Sequence, residues 1–212
     1  IVKYRGYILA VLLLSTGLFG IHIKDLSRNA GISALVPEEH PDYLYWKEME
    51  AVFGASDQIV IGITTQENLY TPDTIMIIHE LTTFLEALEE IDEDDVISLT
   101  TVNDMEGKDG ELLIEPLIDM ENLPVLDKAA LEGIRAKVRS NPLFYGKLVS
   151  LDERSTVIIA GVLTKFSLDD KSIAGLKTKV VAKITELQKQ YPDTTIYLSG
   201  TPILKAYISE YM

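Results

Sequence analysis

One pattern occurs twice along this chain: a β-rich apolar run, a segment with helical periodicity, and a second β-rich run. The predicted strands cover residues 59–64, 96–101, 157–163 and 195–199, and the predicted helices cover residues 72–91 and 171–190. Two βαβ units in series predict an α+β fold of the split βαβ, or ferredoxin-like, kind. We therefore expect one mixed four-stranded sheet with both helices packed on the same face.

Each predicted helix has an apolar stripe that should pack against this sheet. The stripes consist of Ile78, Leu81 and Leu85 in the first helix and Ile173, Val180 and Ile184 in the second. Between the first helix and the second strand, the acidic run of residues 92–95 predicts a charged loop. The two halves share little sequence identity, so the repeat is one of architecture.

The stretch from residue 103 to residue 145 fits neither unit, and we interpret it as an insertion between the two halves. It contains a potential strand over residues 111–117 and the helical segment "DKAALEGIRAKVRSNP", which should stop before Pro142. The following "GKLVSLDERSTVIIAGVL" predicts a hairpin with its turn at residues 152–155. The α+β domain thus carries an inserted helical segment.

The N-terminal region contains a long uncharged run. From Gly6 to Ile23 there is no Asp, Glu, Lys or Arg, and a helix of this length would be roughly 27 Å long, close to the ~30 Å hydrocarbon core of a bilayer. A secretory signal peptide is one alternative, but the sequence offers only a poor cleavage site at residues 27–31. A buried helix is the other. We interpret the run as a transmembrane helix, and Lys3 and Arg5 place its N-terminus in the cytoplasm.

These features divide the chain into four predicted parts. They are a transmembrane helix with a short cytoplasmic N-terminus (1–24), a linker with a short helix from Pro41 to near Gly54 (25–56), an extracytoplasmic domain (57–200) and the start of a further helix (201–212). Thr201 and Pro202 suit the cap and first turn of that last helix. Its apolar residues predict a helix that leads towards a second membrane span.

Composition excludes several classes of function. The chain has 19 Lys and Arg against 33 Asp and Glu, a net charge of −14, whereas nucleic-acid binding requires a basic surface. There is no Cys, so neither a disulfide framework nor a thiolate site is available.

No group of residues predicts an active site. Residues 38–40 (Glu-Glu-His) are adjacent in one loop and cannot easily converge on one metal ion. Residues 104–110 resemble a calcium loop, but Lys108 and a displaced glycine break the pattern, so we predict a turn. His79 is predicted to be a solvated helix residue, and "LSGTP" lacks the glycines and lysine of a phosphate-binding loop. The sequence therefore predicts no catalytic residue, no cofactor and no metal site, and a protein that is not an enzyme.

The order of these segments resembles the first part of a resistance–nodulation–division (RND) transporter. The resemblance rests on "LVPEEHPDY" followed by "FGASDQIVIGI", on the two βαβ units, and on "LSGTPIL" running into an apolar helix. It extends over essentially all 212 residues. Within the superfamily, the chain is most similar to the hydrophobe-exporter and mycobacterial-membrane-protein-large (MMPL) branches.

The resemblance implies a proton-motive-force-driven exporter of lipids or other hydrophobic compounds in the inner (plasma) membrane. It implies that this chain supplies the first span and the first periplasmic porter domain. The implied partners are the remaining spans and the second porter loop of the same transporter, a hydrophobic or lipid-like substrate and membrane lipid. It also allows homo-oligomerisation. Proton-coupling residues would belong to later spans, so none is assigned in this chain.

Two other functions fit the sequence. One is a single-span, membrane-anchored extracytoplasmic sensor or ligand-binding domain, and the other is an anchored enzyme of ferredoxin-like fold. The apolar start of the helix after Pro202 weighs against the sensor, and the missing active site weighs against the enzyme.

Overall fold

A computed structural model of the chain describes residues 4–21, 39–53, 57–108, 111–120, 127–167 and 169–211. The chain divides into two compact units, Ile1–His40 and Pro41–Met212. Several residues named above lie outside the described ranges, among them Lys3, Ile23, Glu38 and Gly54.

The first unit contains one described helix, α1 (Arg5–Ile21), of 17 residues. The helix predicted from Gly6 is therefore observed up to Ile21. Its apolar side chains are exposed, for example Leu14 and Phe19. In the part of the chain that the structure describes, no helix combines the length and the apolar character that a membrane crossing requires.

The second unit contains the other helices and strands. In chain order they are α2 (Pro41–Phe53), β1 (Asp57–Thr65), α3 (Pro72–Glu86), β2 (Ile91–Ile97), β3 (Asn103–Lys108), β4 (Glu111–Pro116), α4 (Lys128–Ser140), β5 (Ser155–Val162), α5 (Thr164–Ser167), α6 (Asp170–Gln190), β6 (Thr194–Gly200) and α7 (Thr201–Tyr211). The helix predicted after Pro41 is thus α2, and the helix predicted before Pro142 is α4.

Four strands form one sheet in the order β2-β5-β1-β6. Every neighbouring pair is antiparallel, so β1 is parallel to β2 but separated from it by β5, and β5 is parallel to β6 but separated by β1. The two βαβ units are therefore split and interleaved, as predicted. The prediction of a mixed sheet was wrong. Each βαβ unit places one of its strands, running in the opposite direction, between the two strands of the other unit, so no two neighbouring strands are parallel.

The core lies between this sheet and the two long helices. Helix α3 contacts β2, β5 and α6, and α6 also contacts β6, so both helices cover the same face. Along β1, the alternate residues Ile59, Ile61 and Ile63 are completely buried. The predicted stripes are buried too: Ile78, Leu81, Leu85, Ile173, Val180 and Ile184. Burial of these apolar side chains is the main force that holds the sheet and helices together.

Strand β2 corrects the prediction for its region. The acidic residues 92–95 were expected to form a loop and residues 96–101 a strand, but the strand is Ile91–Ile97. Its pairing with β5 shifts between Ile91 and Val96, so the acidic residues lie in a bulge on an edge strand, where their side chains reach solvent. The chain then turns, because Thr101 Oγ1 accepts a hydrogen bond from Ser98 N at 2.8 Å and donates one to Val96 O at 2.9 Å.

Three other segments differ more markedly from the sequence prediction. Helix α3 ends at Glu86, five residues early, and Ala87 forms its C-cap. Residues 104–108, predicted as part of a turn, belong to β3, which pairs with β4 in a separate two-stranded sheet. The hairpin predicted before β5 is reduced to a single bridge between Val149 and Thr156.

Helix α7 follows β6 without an intervening residue. Ile203 and Ala206 are buried against the domain, and α7 contacts both α6 and β1. Lys205 Nζ lies 2.8 Å from Asp57 Oδ2, and Lys177 Nζ lies 2.5 Å from Glu210 Oε2. The predicted helix start is therefore observed, and these contacts attach it to the domain.

Candidate functional site

Hairpin β3–β4 has one apolar face and one acidic face. Its register pairs Met105 with Ile114 and Gly107 with Leu112, and since side chains alternate along a strand, these four residues share one face. The residues Asp104, Glu111, Leu113 and Glu115 belong to the opposite face. An amphipathic two-stranded sheet of this kind normally packs its apolar face against a core.

The apolar face of this hairpin is nevertheless exposed. Met105 is 61% exposed, Leu112 66% and Ile114 53%. On the other face, Asp104 is partly buried, and its Oδ2 lies 3.6 Å from Lys137 Nζ of α4. The hairpin therefore contacts the domain at an acidic residue and leaves the three large side chains of its apolar face in solvent, an arrangement typical of an interaction surface.

A cleft of about 680 Å³ lies between this hairpin and the C-terminal half of α4. Its lining combines apolar and polar residues: Asp104, Met105, Ala136, Lys137, Ser140, Asn141, Pro142 and Leu143. Leu143 is 66% exposed at its edge. The volume falls within the range of ~300–1,000 Å³ typical of small-molecule sites. Hairpin, cleft and Leu143 together form one candidate surface, which we call the hairpin–α4 surface.

Helix α4 makes two ion pairs with a buried carboxylate. The side chain of Glu153 is only 5% exposed, and it accepts hydrogen bonds from Arg135 Nη2 at 2.6 Å and from Arg139 Nε at 2.5 Å. The two arginines are four residues apart on α4, so they lie on one face of the helix. Glu153 itself has φ 55°, a left-handed conformation that is uncommon for a residue other than glycine.

The charge of Glu153 is maintained despite its burial. Burial raises the pKa of this carboxyl, but the hydrogen bonds and positive charges of Arg135 and Arg139 outweigh that effect, and the pKa lies below its ordinary value. Charge-assisted hydrogen bonds to two guanidinium groups are among the stronger polar contacts in proteins. The cluster therefore positions α4, and with it one wall of the cleft.

Tyr70 completes the cluster from the β1–α3 connection. The Arg135 guanidinium lies 5.7 Å from the centre of the Tyr70 ring, a cation–π distance. The Tyr70 hydroxyl is buried and makes no hydrogen bond to the residues that the structure describes. Burial, together with the nearby charge of Glu153, raises the pKa of Tyr70 to about 12. Tyr70 is therefore a neutral packing residue at neutral pH.

A second cleft, of about 420 Å³, lies at one end of the main sheet. The β1–α3 connection and the α6–β6 connection form it, and its lining is polar, with Gln66, Asp73, Gln190 and Asp193 among the residues. Three or more His, Asp or Glu side chains placed to hold a metal ion are not found among the described residues.

The structure does not bring the residues considered from the sequence into one site. His40 lies just before α2 while Glu38 is outside the described residues, and His79 lies half-buried in α3. The acidic residues 92–95 belong to β2, and Gly200 and Thr201 form the junction of β6 with α7.

Sequence reasoning missed the Glu153 cluster and the hairpin's exposed face. The spacing of Arg135 and Arg139 could have indicated a common partner, but their partner lies beyond the end of the helix in a tight turn. For the hairpin, the available signal was the apolar run of residues 112–114 between Glu111 and Glu115 in a predicted strand.

No protein-family model matches the chain, and a search of curated protein sequences finds no match.

Proposed function

We propose that this chain is the N-terminal part of an RND-type exporter of lipids or other hydrophobic compounds, driven by the proton motive force. In this proposal residues 57–200 form the first ferredoxin-like porter domain, outside the membrane, and α1 belongs to the first membrane span. The observation that carries the proposal is the interleaved sheet β2-β5-β1-β6 with α3 and α6 on one face. The sequence resemblance implies a domain of this kind between two spans.

Two further observations support the proposal. The uncharged run that begins at Gly6 forms a helix with exposed apolar side chains such as Leu14 and Phe19, which is the surface that a lipid-facing helix presents. After the domain in chain order, α7 exposes Leu204 and Ile208. Both helices thus expose apolar side chains, and contact of such side chains with water is unfavourable.

The domain's contribution would be to guide cargo and to transmit motion. The hairpin–α4 surface offers apolar side chains, Met105, Ala136 and Leu143, around a cleft large enough for part of a lipid chain. In contrast, the cleft at the end of the main sheet is polar. We expect hydrophobic cargo to contact the hairpin–α4 surface, since transfer of apolar groups out of water favours it.

The second candidate function is a membrane-anchored sensor or ligand-binding domain. The polar cleft of about 420 Å³ favours it, because its carboxylate and amide side chains could bind a polar ligand. A sensor would have the same membrane topology as the exporter, but its ligand would be polar and not hydrophobic.

Cysteine labelling tests the topology that the proposal requires. The chain has no cysteine of its own, so single substitutions can be made at two exposed residues, Tyr4→Cys near the N-terminus and Thr195→Cys on β6. In intact cells a membrane-impermeant maleimide should label Thr195→Cys and should label Tyr4→Cys only after lysis. Equal labelling of the two variants in intact cells would contradict the proposed topology.

Crosslinking separates the exporter from the sensor. A photoreactive fatty acid added to the membrane-embedded protein should label peptides that contain Met105 or Leu143, because these residues line the more apolar cleft. The variant Leu143→Ser should label less, while Thr71→Ala, in the polar cleft, should label as the wild type does. Labelling confined to the polar cleft at the end of the main sheet would favour the sensor.

A further inference from the structure

Strand β4 has an outer edge that no described strand covers, which we call its free edge. The two-stranded sheet consists of β3 and β4 alone among the described residues, and β3 lies on the side of α4, through Asp104 and Lys137. All six residues of β4 are exposed. The backbone N–H and C=O groups on its outer side are therefore available to a further strand, and such edges commonly bind extended peptides or cause self-association.

The sequence of β4 restricts what can pair with it. Reading from Glu111 to Glu115, the strand is acidic, apolar, apolar, apolar and acidic. Side chains directly opposite each other on paired strands interact most strongly, and like charges in that position are unfavourable. A strand that pairs with β4 should therefore carry basic residues opposite Glu111 and Glu115 and apolar residues opposite Leu112 and Ile114.

A second copy of this chain fits poorly. In the antiparallel register that overlaps two β4 strands fully and keeps their apolar faces together, Glu111 of each copy lies opposite Glu115 of the other. A register shifted by two residues places a glutamate opposite Leu113 and shortens the ladder. Three exposed apolar side chains are also a small part of the roughly 800 Å² per partner that stable interfaces bury, and each copy carries a net charge of −14.

A membrane surface also fits poorly. The apolar face is only one strand pair wide, and the same strand carries Glu111 and Glu115 on its opposite face. Anionic lipid headgroups attract basic segments and repel acidic ones. The acidic residues thus disfavour both a lipid surface and a second copy, and they favour a basic partner.

We propose that the free edge of β4 binds an extended polypeptide segment of the pattern basic–apolar–any–apolar–basic, which adds a third strand to the hairpin. Backbone hydrogen bonds give the segment its extended conformation, Glu111 and Glu115 set its register, and Leu112 and Ile114 pack against its apolar residues. The inference rests on the hairpin alone and does not depend on the proposed exporter function.

Peptide binding to the full chain tests this inference. The probe is a fluorescein-labelled peptide with the central sequence Lys-Val-Thr-Val-Lys. Two control peptides have the same charge: one has the order Val-Lys-Lys-Thr-Val, and the other has both valines N-methylated, which removes backbone donors. We expect saturable binding of the probe by fluorescence anisotropy, with each control peptide at least about tenfold weaker. On binding, amide hydrogen exchange should slow in residues 111–116.

Matched protein variants separate this pairing from general attraction to an acidic protein. The double variant Glu111→Lys with Glu115→Lys should weaken binding of the probe about tenfold or more. Glu89→Lys with Asp94→Lys makes the same change of charge at two other exposed residues and should change binding less than about twofold at physiological salt. Circular dichroism should show that both double variants keep the fold.

Each of the following results would overturn the inference: equal binding of the three peptides, equal weakening by the two double variants, dimerisation of the chain through residues 111–116, or insertion of the hairpin of the full chain, dye-labelled at Leu112→Cys, into lipid vesicles without the peptide. Absence of probe binding to the folded chain at millimolar concentration would do so as well.

Discussion

Replacing Gly200 with alanine should lower the free energy of unfolding by about 3–5 kcal/mol, because it combines backbone strain with a steric clash. Gly200 has φ 118°, which L-residues rarely adopt, and a Cβ atom there would lie 2.3 Å from Gln58 O and 2.9 Å from the Cα of Ile59. Both atoms belong to the backbone of the central strand β1, so neither can move without disturbing the sheet. Urea unfolding followed by circular dichroism measures the loss.

Gly175→Ala is the matched control for this substitution. Gly175 lies inside α6, and apart from its chain neighbours and the backbone of its own helix no atom lies within 4 Å of the position that its Cβ would occupy. Alanine has a higher helix propensity than glycine, so this variant should be more stable than the wild type by about 0.5–1 kcal/mol. If both variants changed stability by the same amount and in the same direction, this result would contradict the close contact between the backbones of β6 and β1 at Gly200.

Replacing Glu153 with glutamine should lower the free energy of unfolding at pH 7 by about 1–3 kcal/mol, since the hydrogen bonds to a charged acceptor become weaker. Glutamine keeps the length of the side chain and the same backbone preference at φ 55°, so the charge is the main change. Urea unfolding at several pH values measures the effect. Glu132→Gln is the control. Glu132 is 60% exposed, and its Oε1 lies 3.7 Å from Arg135 Nη1, so this ion pair is long and reaches solvent. The control variant should therefore change the free energy of unfolding by less than about 0.5 kcal/mol.

The pH dependence distinguishes a charge effect from a packing effect. The pKa of Glu153 is lowered in the folded protein, so its charge stabilises the fold fully above the unfolded-state pKa of about 4.3 and loses this effect as pH falls through the folded-state pKa. The difference between wild type and Glu153→Gln should therefore shrink on acidification. A difference that stayed constant from pH 7 to about pH 3 would show that the carboxylate charge does not stabilise α4.

The periodic parts of this fold were the parts that the sequence predicted well. Ile78, Leu81 and Leu85 recur at helical spacing because α3 buries one side on the sheet, and the β-branched residues of β1 recur because that strand lies at its centre. Both signals are local, so they can be read without knowing the tertiary structure. The interleaved strand order then follows from two split βαβ units.

The charged elements were harder to predict. The acidic residues 92–95 look like a loop, yet an edge strand can carry such residues when their side chains point to solvent. Glu153 is one acidic residue in a turn, and its importance comes from Arg135 and Arg139, which only the folded chain brings near it. The exposed apolar residues of β4 resemble core residues in sequence, because sequence alone does not tell which side of a hairpin is covered.

The junction between β6 and α7 has a mechanical consequence. Helix α7 starts at the residue after the last one of β6, and Lys205 ties it to Asp57 at the start of β1. A loop at this position would absorb a displacement of the helix by bending, but there is none. Any torque applied to α7 must therefore tilt the two neighbouring strands β1 and β6. The helix and the sheet then rotate together as one rigid body.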